Sequence, residues 1–407
     1  MKSRYLSQAL KKLSLDRHKM AFISGPRQVG KTTLSKSFKS SFDVFIYKNW
    51  DESDFRKLWV KSPNQIKNEF DLAKFNQTRL LVLDEIHKSK SWKQKLKGIY
   101  DELSDQIQIL VTGSARLNVF KKGSDSLMGR YLHFRLHPFS LGELSETSPL
   151  LPEDWKKSLF KKPQQASNKS NLEILKRLMN FSGFPEPYFA NSDNILRIWR
   201  RGRTEKIIRE DLRDLSRLPE LSQVEMLTSL LPSKVGSPLS VQSLREDLEV
   251  SHDTVKRWLQ YLKELYYFFE VKPWTKSVTR TLKKEGKIYL YDWTELSEEG
   301  IKFENLVACH LMKACHFWTD TGEGDFDLFY LRNKEKQEID FLIVKDKKPW
   351  LALECKLKDT SIDSKAVGKF IERLDCPYVQ VVKTENIWFA KDSKLVASAD
   401  FVLAKLP

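Results

Sequence analysis

Four cysteines in 407 residues (Cys309, Cys315, Cys355 and Cys376) form no CxxC pair, and no histidine stands at zinc-ligand spacing from them. That excludes a disulfide scaffold and a zinc module; reduced thiols in a cytoplasmic protein are expected. No apolar run approaches the roughly 18 residues of a membrane-spanning helix. The opening MKSRYLSQALKKLSLDR is charged throughout and lacks the apolar stretch of a secretory signal. No segment repeats at a fixed period, which argues against a solenoid. Acid is in deficit too, with 54 Asp and Glu against 70 Lys and Arg, a formal net charge of +16. A field of that sign favours nucleic acid or an anionic membrane as partner, and without a membrane segment nucleic acid is expected. With 41% hydrophobic and 30% charged residues the chain is a folding one, and its length suggests about two or three cores.

The first third alternates apolar runs (MAFIS, RLLVLDE, IQILVTGS) with helical segments, the pattern of a parallel α/β sheet. The strands stop near Leu144. Prolines at 149, 152 and 163 and the polar stretch KKPQQASNKSN mark an exposed connection, and an arginine-rich helical stretch follows to about Pro232. Strand-like runs return in KIYLYD, FDLFYLRN, EIDFLIV, PWLALECKL, PYVQVVK and NIWFA. The reading is α/β, in four domains: 1–145 a P-loop sheet, 146–232 a helical lid, 233–275 a helix-turn-helix module, and 276–407 a second α/β domain.

Gly25-Pro26-Arg27-Gln28-Val29-Gly30-Lys31-Thr32, followed by Thr33, fits G-x-x-x-x-G-K-[ST] between a strand and a helix. Such a loop turns tightly and brings its amide N–H groups against phosphates. Lys31 is expected to reach the β- and γ-phosphates of ATP and Thr32 to hold Mg2+. LLVLDE adds two carboxylates at a strand end, which would be costly to bury without ionic partners. Asp84 is expected to orient the magnesium and Glu85 to polarise the attacking water. Ser114, ending a third strand in TGS, is a candidate for the γ-phosphate or the water.

GPRQVGKTT, LLVLDEIHK, VTGSAR, SLMGRYLHFRLHPFSLGEL and SGFPEPY, in this order over nearly the whole chain, resemble one group of prokaryotic AAA+-related ATPases with a C-terminal nuclease-like domain. The resemblance implies a five-stranded parallel sheet with a helical lid. It implies that Arg130 acts as an arginine finger or sensor, which makes a homo-oligomer plausible. It also implies that the turn Gly183-Phe184-Pro185 contacts adenine, with Ser182 in place of a usual glycine at no essential cost.

SVQSLREDLEVSHDTVKRWLQYLKELYYFF reads as two helices and a turn. Ser240 and Ser251 are N-caps; Leu244 and Leu248 form one apolar face, and Val255, Trp258, Leu259, Leu262 and Leu265 the next. This is the layout of a winged helix-turn-helix, with Lys256, Arg257 and Lys263 as candidate DNA contacts. Further on, Glu304, Asp340, Glu354 and Lys356 stand in the order of the PD-(D/E)xK nuclease fold, which they resemble. That chemistry needs carboxylates around magnesium and a lysine near the water. His310 and His316 read as helix-surface residues. The expected function is Mg-dependent ATP hydrolysis coupled to DNA binding or remodelling. A nucleotide switch binding protein partners, or an ATP-licensed nuclease, are the alternatives.

Overall fold

The computed structural model describes residues 2–74, 76–113, 127–212, 221–275, 284–333, 335, 337–358, 360–361 and 374–407. Two compact units divide the chain, residues 3–137 and, together with Lys2, residues 138–407.

In the first unit five strands, β1 (Met20–Ser24), β2 (Val44–Asn49), β3 (Arg79–Asp84), β4 (Gln108–Thr112) and β5 (Tyr131–Arg135), form one sheet in the order β2-β3-β4-β1-β5. Every pairing is parallel. Parallel strands need helices on both faces, so β1 and β3 are buried at every residue and read in sequence as unbroken apolar runs. Edge strand β2 is half-buried throughout. Helix α1 (Lys31–Ser37) follows the glycine loop. Helix α2 (Trp92–Leu103) buries Trp92, Leu96, Ile99 and Leu103, a stripe at spacings of four, three and four. That stripe joins Phe22, Leu81, Leu83 and Val111 in the core on one face of the sheet.

The second unit opens with helices, among them α3 (Lys169–Phe181) and α4 (Asp193–Lys206). Helices α5 (Val241–Leu248) and α6 (His252–Glu264) follow, each N-capped as the sequence suggests. Ser240 Oγ accepts from Ser243 N–H, and Ser251 Oγ from Thr254 N–H. The seven apolar residues of the two predicted faces are all buried. Strands β6 (Phe268–Pro273) and β7 (Lys287–Leu290) pair antiparallel as the wing.

Helix α7 (Glu299–Asp320) and strands β8 (Phe326–Arg332), β9 (Glu338–Lys345), β10 (Lys348–Lys356), β11 (Tyr378–Val382), β12 (Trp388–Lys391) and β13 (Lys394–Ser398) follow. The wing does not stand apart from them. β6 pairs parallel with β8 at Lys272 and Pro273, giving one mixed sheet, β12-β13-β11-β10-β9-β8-β6-β7. β13, from KLVAS, was not evident in the sequence, where only Leu395, Val396 and Ala397 are apolar in succession.

His310 is not on a helix surface. Helix α7 is buried on most sides from Phe303 to Trp318, and His310 with it. Its Nδ1 donates to Leu306 O (2.8 Å) and its Nε2 accepts from Leu141 N–H (3.0 Å). Burial pushes its pKa down to about 4, so the ring is neutral and one tautomer satisfies both bonds. His316 is half-buried.

Candidate functional site

β1 delivers the chain into the glycine loop, and sheet order brings the ends of β3 and β4 beside it. The loop leaves β1 through Gly25, where a Cβ would lie 2.2 Å from the carbonyl oxygen of Leu136; no side chain fits there. Pro26 and Val29 are buried, Arg27 and Gln28 half-buried, and Thr33 is exposed on α1. Lys31 is buried, and its ammonium donates to the carbonyls of Gly25 (2.9 Å) and Pro26 (2.8 Å), which holds it across the loop.

Asp84, last residue of β3, stands in register with Asn49 of β2 and Thr112 of β4. Thr32 Oγ1 donates to Asp84 Oδ2 at 2.7 Å, and Tyr47 OH donates to the same oxygen at 2.6 Å. Thr112 Oγ1 donates to Oδ1. The carboxylate that looked unpaired in sequence is therefore held by three hydroxyls. Burial, and then the Asp84 carboxylate, raise the Tyr47 phenol well above its ordinary pKa, so it remains a donor. Nothing in the sequence marks Tyr47, which sits 37 residues from Asp84 on the neighbouring strand.

Magnesium fits these oxygens. Adjacent ligands of octahedral Mg2+ lie about 2.9 Å apart, close to the Thr32–Asp84 separation of 2.7 Å. Glu85 turns off the strand with φ 58°, a left-handed conformation that costs a non-glycine residue energy. Its N–H donates to Thr112 O (3.0 Å), and its carboxylate lies 3.4 Å from Nε2 of buried His87. Ser114 lies outside the described residues.

Arg130 precedes β5, and its carbonyl accepts from Met20 N–H at the start of β1. Five strand residues, about 16 Å, separate it from the end of β1 that carries the loop. Within one chain the loop is out of its reach. Its guanidinium makes a two-pronged pair with Asp101 (2.7 and 3.2 Å).

Pro185 belongs to the second unit, as the first residue of the short helix Pro185–Ala190. A Cβ on Gly183 would meet Phe139 O at 2.6 Å and the Trp293 ring at 2.9 Å, and Gly183 O accepts from Phe139 N–H (2.7 Å). The glycine therefore has a packing role. Ser182 adopts φ 70°, ψ 170°, backbone territory that is essentially glycine's, and its buried hydroxyl has no partner. A serine here does carry a cost. Ser182→Gly should stabilise the chain by about 1 kcal/mol, read as a higher urea midpoint; an unchanged or lower midpoint would show the strain to be relieved.

In the winged helix Lys256 and Arg257 are exposed, whereas Lys263 pairs with Glu270 (2.9 Å), which also holds Lys272 (2.6 Å). Burial raises the Glu270 carboxyl, but the two lysines outweigh it and keep the group ionised.

The nuclease-order residues do converge. Burial and the neighbouring Glu304 carboxylate raise Asp340, which also feels Glu354. Sequence reading missed their cation, Lys287 of β7, which is 2% exposed. Its Nζ meets Glu338 and lies 3.7 Å from Glu304. Tyr289 OH donates to Glu304 (2.6 Å), Cys355 N–H to Asp340 (2.8 Å), and Tyr378 OH (2.9 Å) and Lys356 (2.7 Å) engage Glu354. The cluster is thus balanced from within the chain. Among the described residues no three His, Cys, Asp or Glu are arranged to hold a metal ion.

Residues 17–145 match a family described as "AAA domain". Residues 172–294 and 299–401 match two domains of unknown function, DUF8612 and DUF4143. An uncharacterised protein of Methanocaldococcus jannaschii is 24% identical over 396 residues, 88% of this chain and 79% of that protein. One from Mycobacterium tuberculosis is 24% identical over 337 residues, 78% of this chain and 68% of its own length. Among solved structures, the Aeropyrum pernix ORC1 protein in complex with DNA covers 75% of this chain and 93% of its own, at TM-score 0.33 and 14% identity. AMPPCP-bound DnaA from Aquifex aeolicus covers 64% and 86%, at TM-score 0.30 and 17% identity. Likenesses this distant transfer no property. The first unit is a five-stranded parallel sheet with a phosphate loop, and over residues 17–145 the chain is similar to AAA domains.

Proposed function

We propose that this AAA-type chain is a magnesium-dependent ATPase whose cycle is coupled to DNA held by its winged helix. The observation that carries the ATPase reading is the Asp84 carboxylate, bonded to Thr32 behind a complete phosphate loop. Bound magnesium would be held by Thr32 and Asp84, and would neutralise charge developing on the phosphates. Lys31 leaves the Gly25 and Pro26 carbonyls for the β- and γ-phosphates. Tyr47 and Thr112 keep Asp84 oriented, and Glu85 orients the water. Arg130, remote from its own loop, serves a neighbouring chain's nucleotide in a homo-oligomer.

DNA as partner is supported by the net charge of +16 and by exposed Lys256 and Arg257 on the second helix of the winged module. The test is ATPase rate against linear, forked and four-way DNA. Stimulation supports the coupled motor; no stimulation with tight nucleotide retention supports a switch that binds protein partners instead. Replacing Lys256 and Arg257 with alanine should lower the slope of log K against log salt by about 1.8 on duplex DNA, about 0.9 for each phosphate contact. Adding Lys263→Ala should change little, because Glu270 already neutralises that lysine. An unaltered slope in the double variant would move the DNA contact elsewhere.

A further inference from the structure

Arg4 reaches the phosphate loop, and its neighbour Tyr5 reaches the segment that leaves β5. Arg4 is 7% exposed. Its Nη1 donates to Val29 O at 2.7 Å and its Nη2 to His137 O at 2.6 Å. Tyr5 OH donates to Arg135 O (2.7 Å) and accepts from His137 N–H (3.2 Å). Leu136 N–H donates to Ser24 O (2.8 Å), and Leu136 O fills the place of a Gly25 side chain. The two residues that follow β5, Leu136 and His137, are therefore laid along the root of the loop, and one guanidinium joins His137 to its crest.

Val29 lies between Gln28 (φ 62°) and Gly30 (φ 97°), two residues in left-handed conformation. This stretch has no repeating hydrogen-bond ladder to fix its peptide planes. A trans peptide places its C=O and N–H on opposite sides. Holding the Val29 carbonyl from outside thus turns the Gly30 N–H away from Arg4, toward the side left for phosphate. A buried guanidinium also adds positive charge behind an anion site, and a charge-assisted bond to a carbonyl is stronger than a neutral one.

We infer that Arg4 is a positioning residue for nucleotide binding, which fixes the Val29–Gly30 peptide for phosphate and ties it through His137 to the exit of β5. The inference rests on the ATP-binding reading above. Its specific content is that the guanidinium acts on the loop and does more than stabilise the unit. Lysine cannot replace it, since a single ammonium lacks the planar fork that spans two carbonyls.

The test compares the wild-type chain with Arg4→Ala, Arg4→Lys and Tyr5→Phe, by equilibrium binding of a fluorescent ATP analogue with magnesium and by urea unfolding. Arg4→Ala should bind about tenfold to a hundredfold more weakly, as expected for one buried charge-assisted bond, and Arg4→Lys should fall between it and wild type. Tyr5→Phe loses bonds in the same segment without touching Val29; it should lower the urea midpoint and leave binding unchanged. Millimolar methylguanidinium should restore binding to Arg4→Ala but not to Lys31→Ala. Wild-type affinity in both Arg4 variants overturns the inference. So does weakening in Tyr5→Phe equal to that in the Arg4 variants, because loss of stability would then explain everything. If Arg4→Ala does not fold, Arg4→Lys and Tyr5→Phe still decide. A wild-type chain that binds no nucleotide overturns the ATP reading as well, and is told apart by its own titration.

Discussion

Lys31→Ala is expected to lose ATP binding, whereas Glu85→Gln keeps ATP bound and turns it over about 10² to 10⁴ times more slowly. Lys31 is the buried cation at the loop, held by the Gly25 and Pro26 carbonyls until a phosphate competes for it. Its removal leaves phosphate oxygens without their nearest positive charge. Glu85→Gln is close to isosteric and spares Asp84, whose oxygens stay bonded to Thr32, Tyr47 and Thr112. Only the water-orienting carboxylate is lost. Titration with a fluorescent ATP analogue reads the first effect, and steady-state phosphate release the second. Equal loss of binding in both variants would show that Glu85 supports the loop and does not act on water.

The second large effect lies far along the chain. Lys313 Nζ and Glu143 Oε2 pair at 2.6 Å with both side chains 2% exposed, and Lys313 also donates to Pro138 O (3.1 Å) and Ser140 Oγ (2.9 Å). Removing one partner strands the other charge in a medium that cannot solvate it. Lys313→Met should therefore cost about 3 to 5 kcal/mol, read by urea unfolding. Replacing both, Lys313→Met with Glu143→Leu, should regain most of that loss, because the stranded charge is gone and apolar volume remains. A single-variant loss below about 1 kcal/mol would mean that water reaches the pair.

What the sequence revealed and what it hid divide along a physical line. MAFIS, RLLVLDE and IQILVTGS were legible because parallel strands covered on both faces are apolar in unbroken succession along their middles. The loop was legible because its glycines, lysine and threonine stand at fixed offsets within eight residues. The serine caps of α5 and α6 were legible because a cap acts within three residues. Tyr47, Thr112 and Arg4 were not. Each acts on a residue between 25 and 37 positions away, across a sheet order that no local period encodes. Lys287 and the burial of His310 were hidden for the same reason: the partners of β7 and α7 are set by packing, which periodicity does not record.

The pairing of β6 with β8 bears on how such a chain is inherited. The two C-terminal family matches meet between residues 294 and 299, a border that looks like a seam where modules were joined. The sheet ignores it. β6 and β7 from one side of the border continue the row of strands from the other. A recombination event that carried off residues 299–401 alone would leave β8 with a bare edge at Phe329 and Tyr330, open to any strand that came near. The reverse transfer would strand a two-stranded hairpin, marginal in water. The two segments thus depend on each other for a closed row of strands, and the unit that could be exchanged without exposing an edge is the sheet.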